Sequence, residues 1–318
     1  MSRVPGAFLV ATLTALSTLP AAAAYPDKPI RIIIPFAPGG GTDILARALQ
    51  DKFEKALGAA VIIDNRGGAG RVLGFTLVAK APPDGYTLLV TSASFTYTPS
   101  LHKDLQFDAV KDFKPITNLA QAPLVLSVHP SMPVKNAKEF IAFARKRPGE
   151  IHYGSAGRGS NLHMTTEFFK YMAKIDLKEV PYKGGGPAGV ALMAGEVQVS
   201  FVSILSAVPY MKAGRIRGIA VSTRERTPVL PDVPSLHESG VTGYDKPSWT
   251  GFLAPGGVPD AIVNQIYGGV GKVLKNPETV KALATQGSVA VGNTPEEFGT
   301  FVRTELTEWA RLIKEMKL

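Results

Sequence analysis

The sequence has no cysteine, which excludes disulfide frameworks, thiolate metal sites, cysteine nucleophiles and lipid-anchored cysteines. Charge is sparse at 19%, too little for a coiled coil, while 45% hydrophobic residues are too many for a disordered chain. Acidic residues are outnumbered 26 to 35, for a net charge of +9. The Lys and Arg are scattered among Asp and Glu, with no stripe alternating bases and aromatics, so nucleic acid is not an expected partner. A basic surface that favours small anions fits better. The five histidines (102, 129, 152, 163 and 237) have no i,i+4 spacing, so neither a metal nor another cofactor is expected. There is no G-x-x-x-x-G-K-[ST], and Ile44 occupies the third glycine position of the G-x-G-x-x-G begun by Gly39 and Gly41. Ser155 has Tyr153 where a nucleophile elbow needs glycine, and Ser100-Leu101-His102-Lys103 lacks the S-D-N that would make S-x-x-K meaningful.

Long apolar runs are confined to the beginning. Arg3 precedes an apolar run from Ala7 to Leu19, followed by Pro20 and Ala21 to Ala24. This is the pattern of a secretory signal peptide, residues 1–24, cleaved after Ala24 at an Ala-x-Ala site. Thirteen apolar residues fall short of the ~20 that span a bilayer, so stable membrane insertion is not expected. The mature chain is expected to be exported to a bacterial periplasm.

Beyond Ala24, short apolar runs alternate repeatedly with helical patterns. Ile30 to Pro35 reads as a strand buried on both faces, and Ile44, Leu45, Ala48, Leu49 and Phe53 mark a helix capped by Thr42 and stopped by Gly58. Ala60 to Asp64 and Tyr86 to Thr91 read as further strands, with Asn65 to Gly70 as a loop between them. Around Pro123 the alternation restarts, through Ile151–Tyr153, Val180–Gly186, Val197–Val202 and Ile216–Val221. Trp249 to Ala254 reads as a return strand, and three helical segments come after it, the last over Pro295–Met316. The fold class is α/β, with two doubly wound lobes and a ligand cleft between them. The tail has too few strands for its own sheet. The expected division is 25–121 plus 223–318 for lobe 1 and 122–222 for lobe 2.

Two glycine-rich segments occupy equivalent strand–loop–helix positions. The first runs through Phe36, Ala37, Gly39, Gly40, Gly41, Thr42 and Asp43; the second through Ser155, Ala156, Gly157, Gly159, Ser160 and Asn161. Glycines admit close backbone approach, and helix starts present free N–H groups, so two facing loops would grip an anion without a cationic side chain. Asp43 and Arg47 form an i,i+4 pair, and Trp249 is expected to pack between elements. His163 reads as a cap, a packing residue or a ligand donor. Lys183, at a strand end facing the cleft, is a further ligand candidate, as are Ser92 and Ser203. Arg158, flanked by glycines, is expected to point to solvent.

Tyr25-Pro26, Lys28-Pro29-Ile30, Pro35 to Asp43, Pro83-Asp84-Gly85-Tyr86-Thr87, Tyr153 to Ser160, Val180 to Gly184, Leu230 to Pro234 and Trp249 to Pro255 together resemble the Bug (TctC-type) solute-binding proteins of tripartite tricarboxylate transporters. The resemblance implies a two-lobed Venus-flytrap, the periplasmic-binding-protein fold. It also implies a monomer that captures a small carboxylate and passes it to membrane permease subunits. In that family the two loops hold a carboxylate through backbone amides, hydroxyls and waters, at positions matching Phe36–Asp43 and Ser155–Ser160. Two segments depart from the pattern. Tyr97-Thr98-Pro99 replaces an Asn-Pro, and no acid stands near Ser203, which removes a partner for a ligand amine and favours amine-free carboxylates. The alternatives are an exported hydrolase-like enzyme acting through Ser155 and a ligand-bearing partner of a sensor kinase.

Overall fold

A computed structural model describes residues 25–68 and 71–318. The signal-peptide reading of 1–24 and the end of the Asn65–Gly70 loop lie outside the described residues.

Among these, the strands are β1 (Ile30–Ile34), β2 (Val61–Asn65), β3 (Thr87–Ser92), β4 (Phe113–Ala122), β5 (Leu124–Val128), β6 (His152–Ser155), β7 (Lys178–Pro181), β8 (Val199–Ser203), β9 (Arg217–Val221), β10 (Ser248–Pro255) and β11 (Val289–Ala290). The helices are α1 (Gly41–Leu57), α2 (Val72–Ala79), α3 (Ser94–Leu101), α4 (Ala137–Arg145), α5 (Asn161–Ala173), α6 (Gly185–Ala194), α7 (Ile204–Lys212), α8 (Asp260–Lys275), α9 (Pro277–Thr285) and α10 (Pro295–Met316). They make two lobes. One sheet has the order β11-β4-β10-β3-β1-β2, the other β7-β6-β8-β5-β9. The chain crosses from the first sheet to the second at Pro123, between β4 and β5, and returns between β9 and β10.

β1 is nearly all buried, with β2 and β3 parallel on either side, as a continuous Ile run requires. α1 presses Leu45, Leu49 and Phe53 onto that sheet and ends at Gly58, whose φ of 74° lets its N–H reach the Glu54 carbonyl at 2.9 Å. Its N-cap is Gly40, not Thr42, which is the helix's second residue. The difference has a local cause: the Asp43 carboxylate reaches back to the Gly39 N–H at 2.9 Å and closes the turn without a hydroxyl cap.

Four elements have no counterpart in the sequence reading, the two-residue β11 among them. β4 pairs with both β10 and β11, although Pro115, Asn118 and Gln121 interrupt its apolar pattern. α3 carries Pro99 inside it and buries Phe95, Thr96, Tyr97 and Thr98 in succession, so it has no amphipathic period. α7 follows Ser203 directly.

α10 begins with a Thr294–Glu297 capping box and packs on α3 and β4 of one lobe and on α5 of the other. Its Trp309 stands between Tyr97 (ring centroids 4.4 Å apart) and Phe168 (6.1 Å). Trp249 is buried against Phe298 and Phe301 of the same helix, as the packing expectation for it required.

Candidate functional site

The carboxyl ends of β1, β3, β6 and β8 face a cavity between the sheets, with room for water-sized atom centres of about 70 Å³. A single water needs ~10–15 Å³ on this measure, so a compact ligand of several heavy atoms fits. The cavity collects Phe36, Gly40, Gly41, Thr42, Asp43, Ser92, Ala156, Ser160, Asn161 and Ser203 from the sequence-derived candidates. Ala37, Gly157 and Lys183 line a neighbouring cavity instead, which Phe36 and Ala156 also border. Gly39, Ser155, Gly159 and His163 line neither.

The residues turned away have other work. The Ser155 hydroxyl donates to Glu179 at 2.5 Å and accepts from the Gly157 N–H at 3.0 Å, so it shapes its loop. His163 Nδ1 accepts from the Gly159 N–H at 3.3 Å, and Nε2 lies 3.6 Å from Glu179. Burial holds the imidazole below its usual pKa, with Glu179 and Glu167 pulling the other way. These contacts make His163 a packed part of its own loop. Lys183 is exposed at the rim of the neighbouring cavity, and Arg158 is exposed as expected.

Four helix starts converge on the main cavity. Gly40 caps α1 without a side-chain bond, and Gly41 and Thr42 follow it into the lining. Ser160 caps α5, its hydroxyl accepting from the His163 N–H at 3.0 Å while keeping its own proton to donate. Gly185 opens α6, and Ser203 caps α7. Each start carries partial positive charge and unsatisfied N–H groups. No Lys, Arg or His lines the cavity among the described residues. Its single charge, Asp43, is 3% exposed and already bonded to the Gly39 N–H, to Arg47 at 3.0 Å and to Asn65 at 3.0 Å.

Loop one packs on Gly184–Gly186 and on Ser203. A Cβ on Gly41 would lie 2.7 Å from Ser203 Cβ and closer still to its hydroxyl, and one on Gly186 would lie 2.8 Å from the Pro38 carbonyl. A Cβ on Gly40 would find only ordinary contacts, 3.8 Å and beyond. The close approach is therefore at Gly41.

Besides the apolar Leu45, Ala120, Ala122, Leu124, Leu162 and Leu205, the sequence reading missed Gly185, Ser248, Thr250 and Ser288 of the lining. Ser248 accepts from the Asn161 amide nitrogen at 2.6 Å, while Tyr97 donates to Asn161 Oδ1 at 3.0 Å. Asn161 thus ties α5 of one lobe to α3 and β10 of the other. Only the hydroxyl content of these segments could have signalled them, and hydroxyl residues are common throughout the chain.

Residues 45–318 match the family model described as "Tripartite tricarboxylate transporter family receptor" (TctC). The protein BugT of Bordetella pertussis is 32% identical over 293 residues, covering 92% of this chain and 90% of BugT. A solved R. palustris protein with adipate superposes with a TM-score of 0.89 at 33% identity, over 92% of this chain and 98% of that one. MatC from Rhodopseudomonas palustris with bound malate gives 0.86 at 31% identity, over 91% and 100%. With its two-lobed α/β fold and a match over most of its length, this chain belongs to the Bug, or TctC-type, family of periplasmic solute-binding proteins.

Proposed function

We propose that this protein captures a small, amine-free carboxylate in the periplasm and passes it to the permease of a tripartite tricarboxylate-type transporter, without chemistry on the ligand. The observation that carries the reading is a cavity at four helix starts with no cationic side chain among the described residues that line it. A carboxylate there is held by backbone N–H groups of both lobes and by the hydroxyls of Thr42, Ser160 and Ser203. Each helix start is worth only ~0.3–2 kcal/mol, so the charge-assisted hydrogen bonds made on closure supply the rest. Asp43 is spoken for by Arg47 and Asn65, so a ligand amine would find no carboxylate partner. The adipate and malate bound by the two R. palustris relatives support the same ligand class.

In this reading residues 1–24 are removed after Ala24. The mature monomer closes lobe 1 (25–121 with 223–318) on lobe 2 (122–222) around the ligand. An exported hydrolase would need Ser155 as nucleophile, yet its hydroxyl is engaged with Glu179 away from the cavity. A thermal-shift screen of mono-, di- and tricarboxylates against matched amines and amides tests the proposal. Carboxylates should raise the melting temperature, by ~2.7 kcal/mol of stability at a hundredfold excess over Kd. Stabilisation by amines alone would defeat it.

A further inference from the structure

The neighbouring cavity is larger, about 510 Å³, and it also lies between the sheets. Pro35 to Pro38 and Gly67 border it from one lobe; Ala156, Gly157, Tyr182 and Lys183 border it from the other. None of the residues lining it is acidic. Into it projects Arg71, 4% exposed. One guanidinium nitrogen donates to the Ala156 carbonyl at 3.4 Å and the other to the Arg158 carbonyl, both across the cleft. Among the described residues its Nε has no partner.

A buried guanidinium carries five donors and a full charge, and two carbonyls answer neither completely. The carboxylate that favours its charge, Glu179, is already engaged by Ser155 and faces His163. Burial lowers the Arg71 pKa to about 10, against the pull of Glu179. Lys183 adds a second cation at the rim, and burial with the positive charges of Arg71 and Arg158 lowers the pKa of His102, which lies outside the lining and whose Nε2 has no partner among the described residues. The pocket has positive charge, donors to spare and no anion of its own.

We propose that this second cavity is an oxyanion site, in which Arg71, with Lys183 at the rim, receives a carboxylate or phosphate-class group next to the main cavity. Phe36 and Ala156 line both cavities, so the two sites adjoin. The inference rests on the carboxylate reading of the main cavity. The oxyanion is either the far carboxylate of the same ligand or a free inorganic anion, and both meet the same fork of N–H donors.

The test is calorimetric titration of adipate, hexanoate and inorganic phosphate into the wild type, Arg71→Gln, Arg71→Lys and Lys183→Gln. If the site takes the far carboxylate, the wild type prefers adipate to hexanoate by about tenfold or more. Arg71→Gln then brings the ratio close to one, Lys183→Gln narrows it about threefold, and hexanoate affinity is unchanged in both. If it takes a free anion, phosphate binds the wild type, Arg71→Gln abolishes that binding, and the adipate-to-hexanoate ratio stays the same in every variant. An equal fall of adipate and hexanoate in Arg71→Gln, without phosphate binding, would make Arg71 an interlobe brace alone and overturn the site. A ratio unchanged in all variants with no phosphate binding would overturn it too. A wild type that binds neither carboxylate would refute the main-cavity reading itself.

Discussion

The two glycine loops occupy equivalent positions in their lobes but are built on different logic. Loop one, before α1, has a bare glycine cap and is braced from behind by Asp43, which takes the Gly39 N–H and leaves Gly40 and Gly41 to line the cavity without a side-chain cap. Loop two, before α5, is filled in: Ser160 caps the helix, His163 receives the Gly159 N–H, and Ser155 is tied to Glu179. One loop turns bare backbone toward the cavity, the other a hydroxyl that also caps its helix. Equivalence of position in a repeated fold therefore does not imply equivalence of tolerance to substitution.

The sharpest way to break this contrast is a pair of variants in loop one. Gly41→Val places a branched Cβ against Ser203 and should weaken carboxylate binding by ~10- to 100-fold, the scale of ~1–3 kcal/mol that overpacking costs. Gly40→Ala, one residue away with φ of −81° and only ordinary contacts for a Cβ, should bind within about twofold of wild type. Calorimetry on folded variants decides it, and equal losses at both positions would end the claim that Gly41 is the contact point.

In loop two the effect should show in stability as well as in binding. Ser160→Ala removes the α5 cap and should cost ~0.5–2 kcal/mol in urea unfolding. Binding should fall by a further ~0.5–1.5 kcal/mol through the lost donor. A variant that binds weakly but unfolds normally would separate the two roles.

The smallest effect is on pH. The His163 pKa is lowered in the folded state, so the unfolded chain binds more protons as pH drops toward and below the ordinary imidazole value of ~6.5. Stability should therefore decline between about pH 7 and 5, with a slope of at most ~1.4 kcal/mol per pH unit from this residue. His102 acts in the same direction. His163→Gln should flatten the decline measured by thermal unfolding; an unchanged slope would assign it elsewhere.

Much of this was readable from the chain. The Ile30–Pro35 run, the glycine loops, Gly58 as a stop and the extent of α10 are local statements, fixed by periodicity and capping. β4 and α3 were not legible, because Pro115 and Pro99 argue against the elements that tertiary burial imposes. The cap of α1 was assigned one type of residue too conventionally, since the backward reach of Asp43 replaces a hydroxyl. The contact of loop one with Gly184–Gly186 and Ser203 is long-range, and no spacing encodes it. Arg71 gave no signal: it comes after a glycine-rich stretch like any loop arginine, and neither its φ of 77° nor its burial can be read from composition.

The floor of the main cavity is made in part by Ala122, Leu124 and Ser248, which are also where the chain passes between the sheets. Under the proposed closure, a substitution there changes two quantities together, the room for ligand and the fraction of molecules whose sheets are closed. Apparent affinity is the intrinsic value scaled by that fraction. Lineages adapting such a protein to a new nutrient could vary the jaws one contact at a time, whereas each change in the floor would be felt as mechanics and as taste at once.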